Sequence, residues 1–235
     1  MKNILITFIL LALGLAAPAA AGAQDFFPQL KREKPDLGQI KKDILTSEFY
    51  YPHLMAEHLG NDTTMKVEKY RRLYLGYMLQ EDYNPYREHP LPASVAPLYG
   101  KVGKMTRAEA DTIIKYAQEV LADNPFDLYQ MIALTEAYRV KGKTNLAKIW
   151  NTKLKYILMA ILSTGTGRDR ENAWWVVSPQ HEYILLQFLG YRPTNHTFYS
   201  PDYEMLTATP PGGGADGRFY FNIRGILDEY YRKYE

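Results

Sequence analysis

Apolar residues over the first two thirds of the chain recur at helical rather than strand spacing. Leu37, Ile40 and Ile44 share one face of a helix predicted over Asp36 to Thr46. A shorter apolar piece, Pro52 to Leu59, stops at Gly60. Val67, Tyr70, Tyr74 and Tyr77 then follow at i, i+3, i+7 and i+10, with Arg71 and Arg72 on the other side. Aromatic rings at that spacing pack inward, so these three tyrosines are expected in the core. Gly76, costly inside a helix, implies a close neighbour. Thr106 and Glu109 have capping-box spacing and open a helix over Thr106 to Ala122. Asn124 followed by Pro125 reads as the next N-terminus, with a stop at Gly142. Thr144 opens a third helix, whose apolar stripe is Ala147, Trp150, Leu154, Ile157 and Ile161. The short connections imply antiparallel neighbours. Leu134, Tyr138, Gly142 and Ala147 also fall at spacings of the tetratricopeptide helix-turn-helix repeat.

Two segments break this pattern. From Glu81 to Met105, Pro85, Pro90, Pro92 and Pro97 forbid continued helix, which leaves a long loop carrying Tyr83, Tyr86 and Arg87. Loop tyrosines combine an apolar body with a polar tip, suited either to recognition or to pinning the loop down. After Ser163 the period changes. Ala173 to Val177 is a short β-prone run with adjacent Trp174 and Trp175, expected on opposite faces of a strand. A helix, "QHEYILLQFL", is followed by strand candidates "HTFYS", "YEMLTA" and "RFYFNI" and a closing helix, "GILDEYYRKYE". The predicted class is α+β, mainly α: antiparallel helical hairpins, then a small C-terminal sheet with one or two helices. The expected divisions are a signal peptide at 1–23, a flexible leader at 24–35, a helical-hairpin region at 36–163 and an α+β region at 164–235.

The N-terminus changes the setting. Lys2, the apolar run Ile4 to Leu15 and Ala21-Gly22-Ala23 have the order of a cleavable secretory signal, so Gln24 is expected to begin the mature chain. No other stretch is long and apolar enough to span a bilayer. The expected location is the periplasm or exterior of a Gram-negative bacterium. With no cysteine, disulfides, thiolate metal sites and a cysteine nucleophile are excluded. The formal charge of +2, from 28 basic and 26 acidic residues, comes with no basic stripe, so nucleic acid is not an expected partner.

Candidate chemistry is sparse. His53 and His58 stand about 140° apart around a helix and do not converge on an ion. His181 lacks a second histidine one turn on, and Glu182 is accounted for by the helix dipole. His196 reads as a strand or loop residue. The glycine-rich "STGTG" and "GGGADG" lack the features of phosphate-cradling loops and read as flexible connections. No catalytic residue, metal site or cofactor is expected. Carboxylate pairs cannot be assigned from spacing.

The segments "FYYPHLMAEHLGNDTT", "EKYRRLYLGYMLQEDYNPY" and "NAWWVVSPQHEYILLQFLG" resemble an uncharacterised family of exported proteins from Gram-negative gut bacteria, one of the domains of unknown function. The resemblance runs from about Leu37 to the C-terminus. It implies export and a tetratricopeptide-like front half joined to a small β-containing tail, and carries no activity or catalytic residues.

The expected function is therefore a non-catalytic interaction protein of the cell envelope, with a peptide, protein or glycan as partner. Its candidate ligand-binding residues are Tyr83, Tyr86, Arg87 and Trp174. The alternatives are a carboxylate-dependent hydrolase of envelope or glycan substrates and a structural accessory subunit.

Overall fold

The computed structural model describes residues 30–101 and 104–234. The expected signal peptide and the first part of the leader lie outside the described residues. Eight α-helices and a four-stranded sheet make up the described fold, which is α+β and mainly α, as the pattern predicts. Among the described residues no helix is long and apolar enough to cross a membrane.

The chain forms two compact units. Among the described residues, one runs from Arg87 to Lys155; the other joins the residues from 30 to Tyr86 to those from Tyr156 onward. Within the first, α4 (Arg107–Asp123) and α5 (Leu128–Val140) are successive helices. The capping box at Thr106 is formed in full: its side chain accepts from Glu109 N–H, and Glu109 bonds back to Thr106 N–H. The start of α5 differs from the expectation. Asp127 is the N-cap and accepts from Gln130 N–H at 3.0 Å, while Asn124 ends α4 and accepts from Phe126 N–H. Asn124 and Pro125 therefore shape the turn between the helices. Val95, Leu98, Met105, Ala110, Ile113, Ala133 and Ala137 form this unit's apolar cluster. The proline-rich segment thus contributes to the core instead of standing away from it.

The second unit contains α1 (Leu37–Asp43), α2 (Tyr51–Leu59) and α3 (Val67–Tyr77). It also contains the end of α6 (Thr144–Leu162), then α7 (Gln180–Phe188) and α8 (Arg224–Tyr234). Tyr70, Tyr74 and Tyr77 on α3 are buried. Gly76 has the close neighbours its position implies: a Cβ there would lie 3.1 Å from Ile44 and 3.2 Å from Tyr51. Arg71, expected on the polar side, is buried instead and donates to Ser163 O and Oγ and to Glu33 O. Glu33 N–H also donates to Ser163 O, so the end of the leader is tied down here.

The sheet has the order β1-β4-β3-β2, with β1 at Trp174–Trp175, β2 at Arg192–Tyr199, β3 at Tyr203–Thr209 and β4 at Gly217–Asn222. β1 runs parallel to β4 and the other pairs are antiparallel. Register places Phe221 opposite both Trp174 and Glu204, and Leu206 opposite both His196 and Phe219. Since side chains alternate along a strand, these residues share one face. Leu206, Ala208 and Phe221 are buried there, and Trp174 stacks on Phe219 with centroids 5.9 Å apart. Both adjacent tryptophans are buried, so each face of β1 is covered. The "STGTG" turn is likewise interior. Thr164 Oγ1 accepts from Trp175 N–H, and Gly167 O accepts from Tyr220 N–H.

Candidate functional site

The four residues singled out by sequence have different fates. Tyr83 is 3% exposed, packs edge-on against Tyr77 and donates to Val177 O at 2.8 Å. Trp174 is 1% exposed and donates to Gly165 O at 3.1 Å. Both rings are structural, because interior side chains whose polar atoms already serve the main chain offer a ligand nothing. Arg87 reaches across its own unit to Asp123, bonding its carbonyl at 2.8 Å and its carboxylate at 2.9 Å. His89 bonds the other Asp123 oxygen at 2.7 Å. These contacts fasten the proline-rich segment to the end of α4. Of the four, Tyr86 alone presents a ring to solvent, at 46% exposure.

Around Tyr86 lies a patch of tyrosines. α8 buries Ile226 and Glu229 and turns Tyr230, Tyr231 and Tyr234 outward. Tyr230 and Tyr234, one helical turn apart, have ring centroids 5.1 Å from each other. Tyr231 lies edge-on to Tyr230 at 5.7 Å, and Tyr86 does so from the loop at 6.4 Å. Glu229 anchors the end of this helix, accepting a two-pronged bond from Arg232 and an ion pair from Lys233. Those hydrogen bonds from Arg232 hold its carboxyl below the ordinary glutamate range. Sequence reasoning missed Tyr230, Tyr231 and Tyr234. The signal was the run "EYYRKYE", whose aromatic spacing on the last helix matches no buried stripe.

Two further carboxyl groups, Glu182 and Glu204, have unusual settings. Pro179 precedes α7, a helix buried almost all round, on which His181, Glu182 and Gln187 are enclosed with the apolar residues. Glu182 is wholly buried, and neither of its oxygens has a partner in hydrogen-bond geometry. Burial comes first, then the charge of Glu204 and a hydrogen-bonding approach by its carboxyl, in raising Glu182 well above the ordinary value. The approach falls short of a well-formed bond, so burial is the firm cause. Glu182 lies in the first turn of α7, as expected from the sequence, but is enclosed there and not at the surface. Glu204 lies on β3, diagonal to His196 on β2, and their side chains meet at 3.0 Å. Tyr86 adjoins this group: burial and then the charge of Glu204 push its hydroxyl up.

The other histidines have structural settings. Tyr74 Oη stands 2.7 Å from His181 Nδ1 and accepts from Val177 N–H at 3.1 Å. His58 packs edge-on against Tyr70, and His53 against Tyr50. Among the described residues no group of three or more acidic or histidine side chains could hold a metal ion.

The fold and this region together define a class: an α+β protein with an exposed tyrosine ledge and a wholly buried glutamate on α7. The chain belongs to DUF4919, a domain of unknown function, whose family profile matches residues 38–232. Comparison with curated proteins and with solved structures finds no match.

Proposed function

We propose that this is a non-catalytic binding protein of the bacterial cell envelope, exported through its N-terminal signal, whose ligand face is Tyr86, Tyr230, Tyr231 and Tyr234. The observation that carries the reading is the ring contact of Tyr230 with each of Tyr86, Tyr231 and Tyr234, while all four remain exposed. Exposed apolar area gathered in one patch marks interaction surfaces, and single exposed rings do not. Tyrosine suits recognition because two rotatable bonds carry a large flat surface and a hydroxyl. We favour a glycan as the ligand. The rings supply flat faces for the apolar side of a sugar, while their hydroxyls and the neighbouring Glu204 supply hydrogen-bond partners for its hydroxyls.

Affinity electrophoresis of the chain from Gln24 through gels containing soluble envelope polysaccharides tests this. Retardation that Tyr86→Ala/Tyr230→Ala abolishes, with an unchanged thermal melt, supports the ledge. Equal retardation of both proteins moves the site elsewhere. No retardation with any polysaccharide, together with capture of one envelope protein by the parent alone, replaces the glycan with a protein partner.

The buried Glu182 supports a second reading, a carboxylate-dependent hydrolase, since burial raises a carboxyl in the way a catalytic acid requires. The complete enclosure of Glu182 weighs against it, because a catalytic acid must reach the bond it protonates. Turnover of a polysaccharide, lost in Glu182→Gln, would reverse this ranking.

A further inference from the structure

We propose that one face of the sheet, at Arg192, Arg218, Tyr199 and Tyr220, binds an acidic polysaccharide, with the arginines taking its anionic groups and the tyrosines its sugar rings. None of these residues belongs to the tyrosine ledge, and the inference stands without that reading. It begins from register. Alternation along β3 and β4 puts Thr207 and Arg218 on the face opposite to that of Leu206, Phe219 and Phe221. On β2 the register shifts between Pro193 and Asn195, so Thr194 has no partner on β3. A bulge of this kind reverses the side on which the residues before it project. Arg192, opposite Thr209, therefore joins Arg218; in an unbroken strand it would share the face of His196. The Thr194 hydroxyl holds the shift in place, 3.1 Å from Thr207 O and 3.0 Å from Asp216 Oδ2.

Charge on this face has one sign. Both arginines are exposed, and neither forms an ion pair among the described residues. The strand residues that share the face include no aspartate or glutamate. Asp216, just before β4, is engaged with Thr194 instead. A charged side chain on an outer strand guards against edge pairing, but β4 is paired on both sides, so that role does not account for Arg218. The two arginines stand diagonally across β3, one opposite Thr209 and the other opposite Thr207. Strand spacing and rise put their Cα atoms about 12 Å apart. Two long side chains at that separation can meet one anionic group lying over the threonines, and the guanidinium fork suits a carboxylate or sulfate.

Further along β3, Tyr199 and Tyr220 form the same kind of diagonal, opposite Tyr203 and Met205, with ring centroids 6.3 Å apart. Tyr199 is exposed and Tyr220 half-buried, while Met205 is buried. Such rings offer a flat apolar surface and a hydroxyl, the two things a sugar ring presents in return. The ring pair and the arginine pair are separated by about 14 Å along the strand. That exceeds one sugar ring, so the ligand that engages both is a chain. The face between the pairs carries threonine hydroxyls, where a protein partner would require apolar area at the centre of its interface.

Titration calorimetry of the chain from Gln24 with alginate oligomers, and with neutral dextran as the reference, provides the test. We expect alginate to bind and dextran not to, with alginate binding weakened by added salt. Arg192→Gln/Arg218→Gln should weaken alginate binding by at least about tenfold, since two charge-assisted contacts are lost. Lys41→Gln/Lys42→Gln removes the same charge from exposed positions on α1 and should bind as the parent does. Tyr199→Ala should weaken alginate binding severalfold. Tyr86→Ala/Tyr230→Ala should leave it in place, so failure of the ledge and failure of this face are read separately. No binding of alginate by the parent, equal losses in the arginine and lysine variants, or loss in the ledge variant alone would each overturn the proposal. Should the double arginine variant melt early, Arg192→Gln and Arg218→Gln decide singly, and unchanged binding in both overturns it.

Discussion

The hydroxyl of Tyr83 donates to the carbonyl of Val177, 2.8 Å away and more than ninety residues later in the chain. A ring in a proline-rich loop thereby becomes an internal tie. Tyr83→Phe removes only this bond and should cost about 1 kcal/mol. Tyr83→Ala also empties an aromatic site and should cost about 3–5 kcal/mol. Urea denaturation of the two variants checks the ratio. A binding defect in Tyr83→Ala would therefore report damage to the fold and say nothing about recognition.

Tyr86 and Tyr230 should behave in the opposite way. Both rings are partly solvated, so Tyr86→Ser and Tyr230→Ser singly should each change stability by less than about 1 kcal/mol. The same substitutions should reduce ligand retention at least tenfold. Equal melts beside unequal retardation would separate surface from core on this side of the molecule.

Gly167 has φ +69°, and a Cβ added there would lie 2.5 Å from the Trp174 ring. Gly167→Ala combines a left-handed backbone with overpacking and should cost about 2–4 kcal/mol. Tryptophan fluorescence should shift towards that of a solvated ring at lower urea than in the parent. Unchanged stability would mean that the turn and the ring separate without loss.

Lys153 is 2% exposed, with its ammonium 4.2 Å from the centre of the Trp150 ring. Burial pushes it down to about 8 from 10.5. Between those values the unfolded chain holds the proton that the folded chain has shed, so stability rises with pH across that window. The full rise would be about 3 kcal/mol for the whole interval, and less where water still reaches the ammonium. Lys153→Met should be more stable than the parent at pH 7, and the gap should close by pH 10.5. Paired urea titrations at pH 7, 9 and 10.5 measure that gap.

Local patterns made much of the fold legible. The capping box at Thr106 needs only four consecutive residues, and the buried face of α3 needs only the spacing of Tyr70, Tyr74 and Tyr77. The strands after residue 190 announce themselves by β-prone runs between turns. Asn124-Pro125 misleads because a helix-start signature also suits a turn, and the next side chain able to cap, Asp127, takes the role.

By itself, then, the sequence determined which segments are helix and strand, which helical faces are apolar, and that no cysteine holds the chain together. These depend on period, capping chemistry and composition, all local. Only the tertiary structure decided which polar residues go inside. Glu182 occupies the first turn of a helix, a position that suits an exposed acid, yet α7 is enclosed on nearly every side and takes it into the interior. Tyr83 and Tyr86 look alike in sequence, yet a carbonyl at Val177 draws one inward while rings of α8 line the other at the surface. Burial of a polar group depends on what long-range packing sets opposite it, and no window of neighbouring residues contains that information.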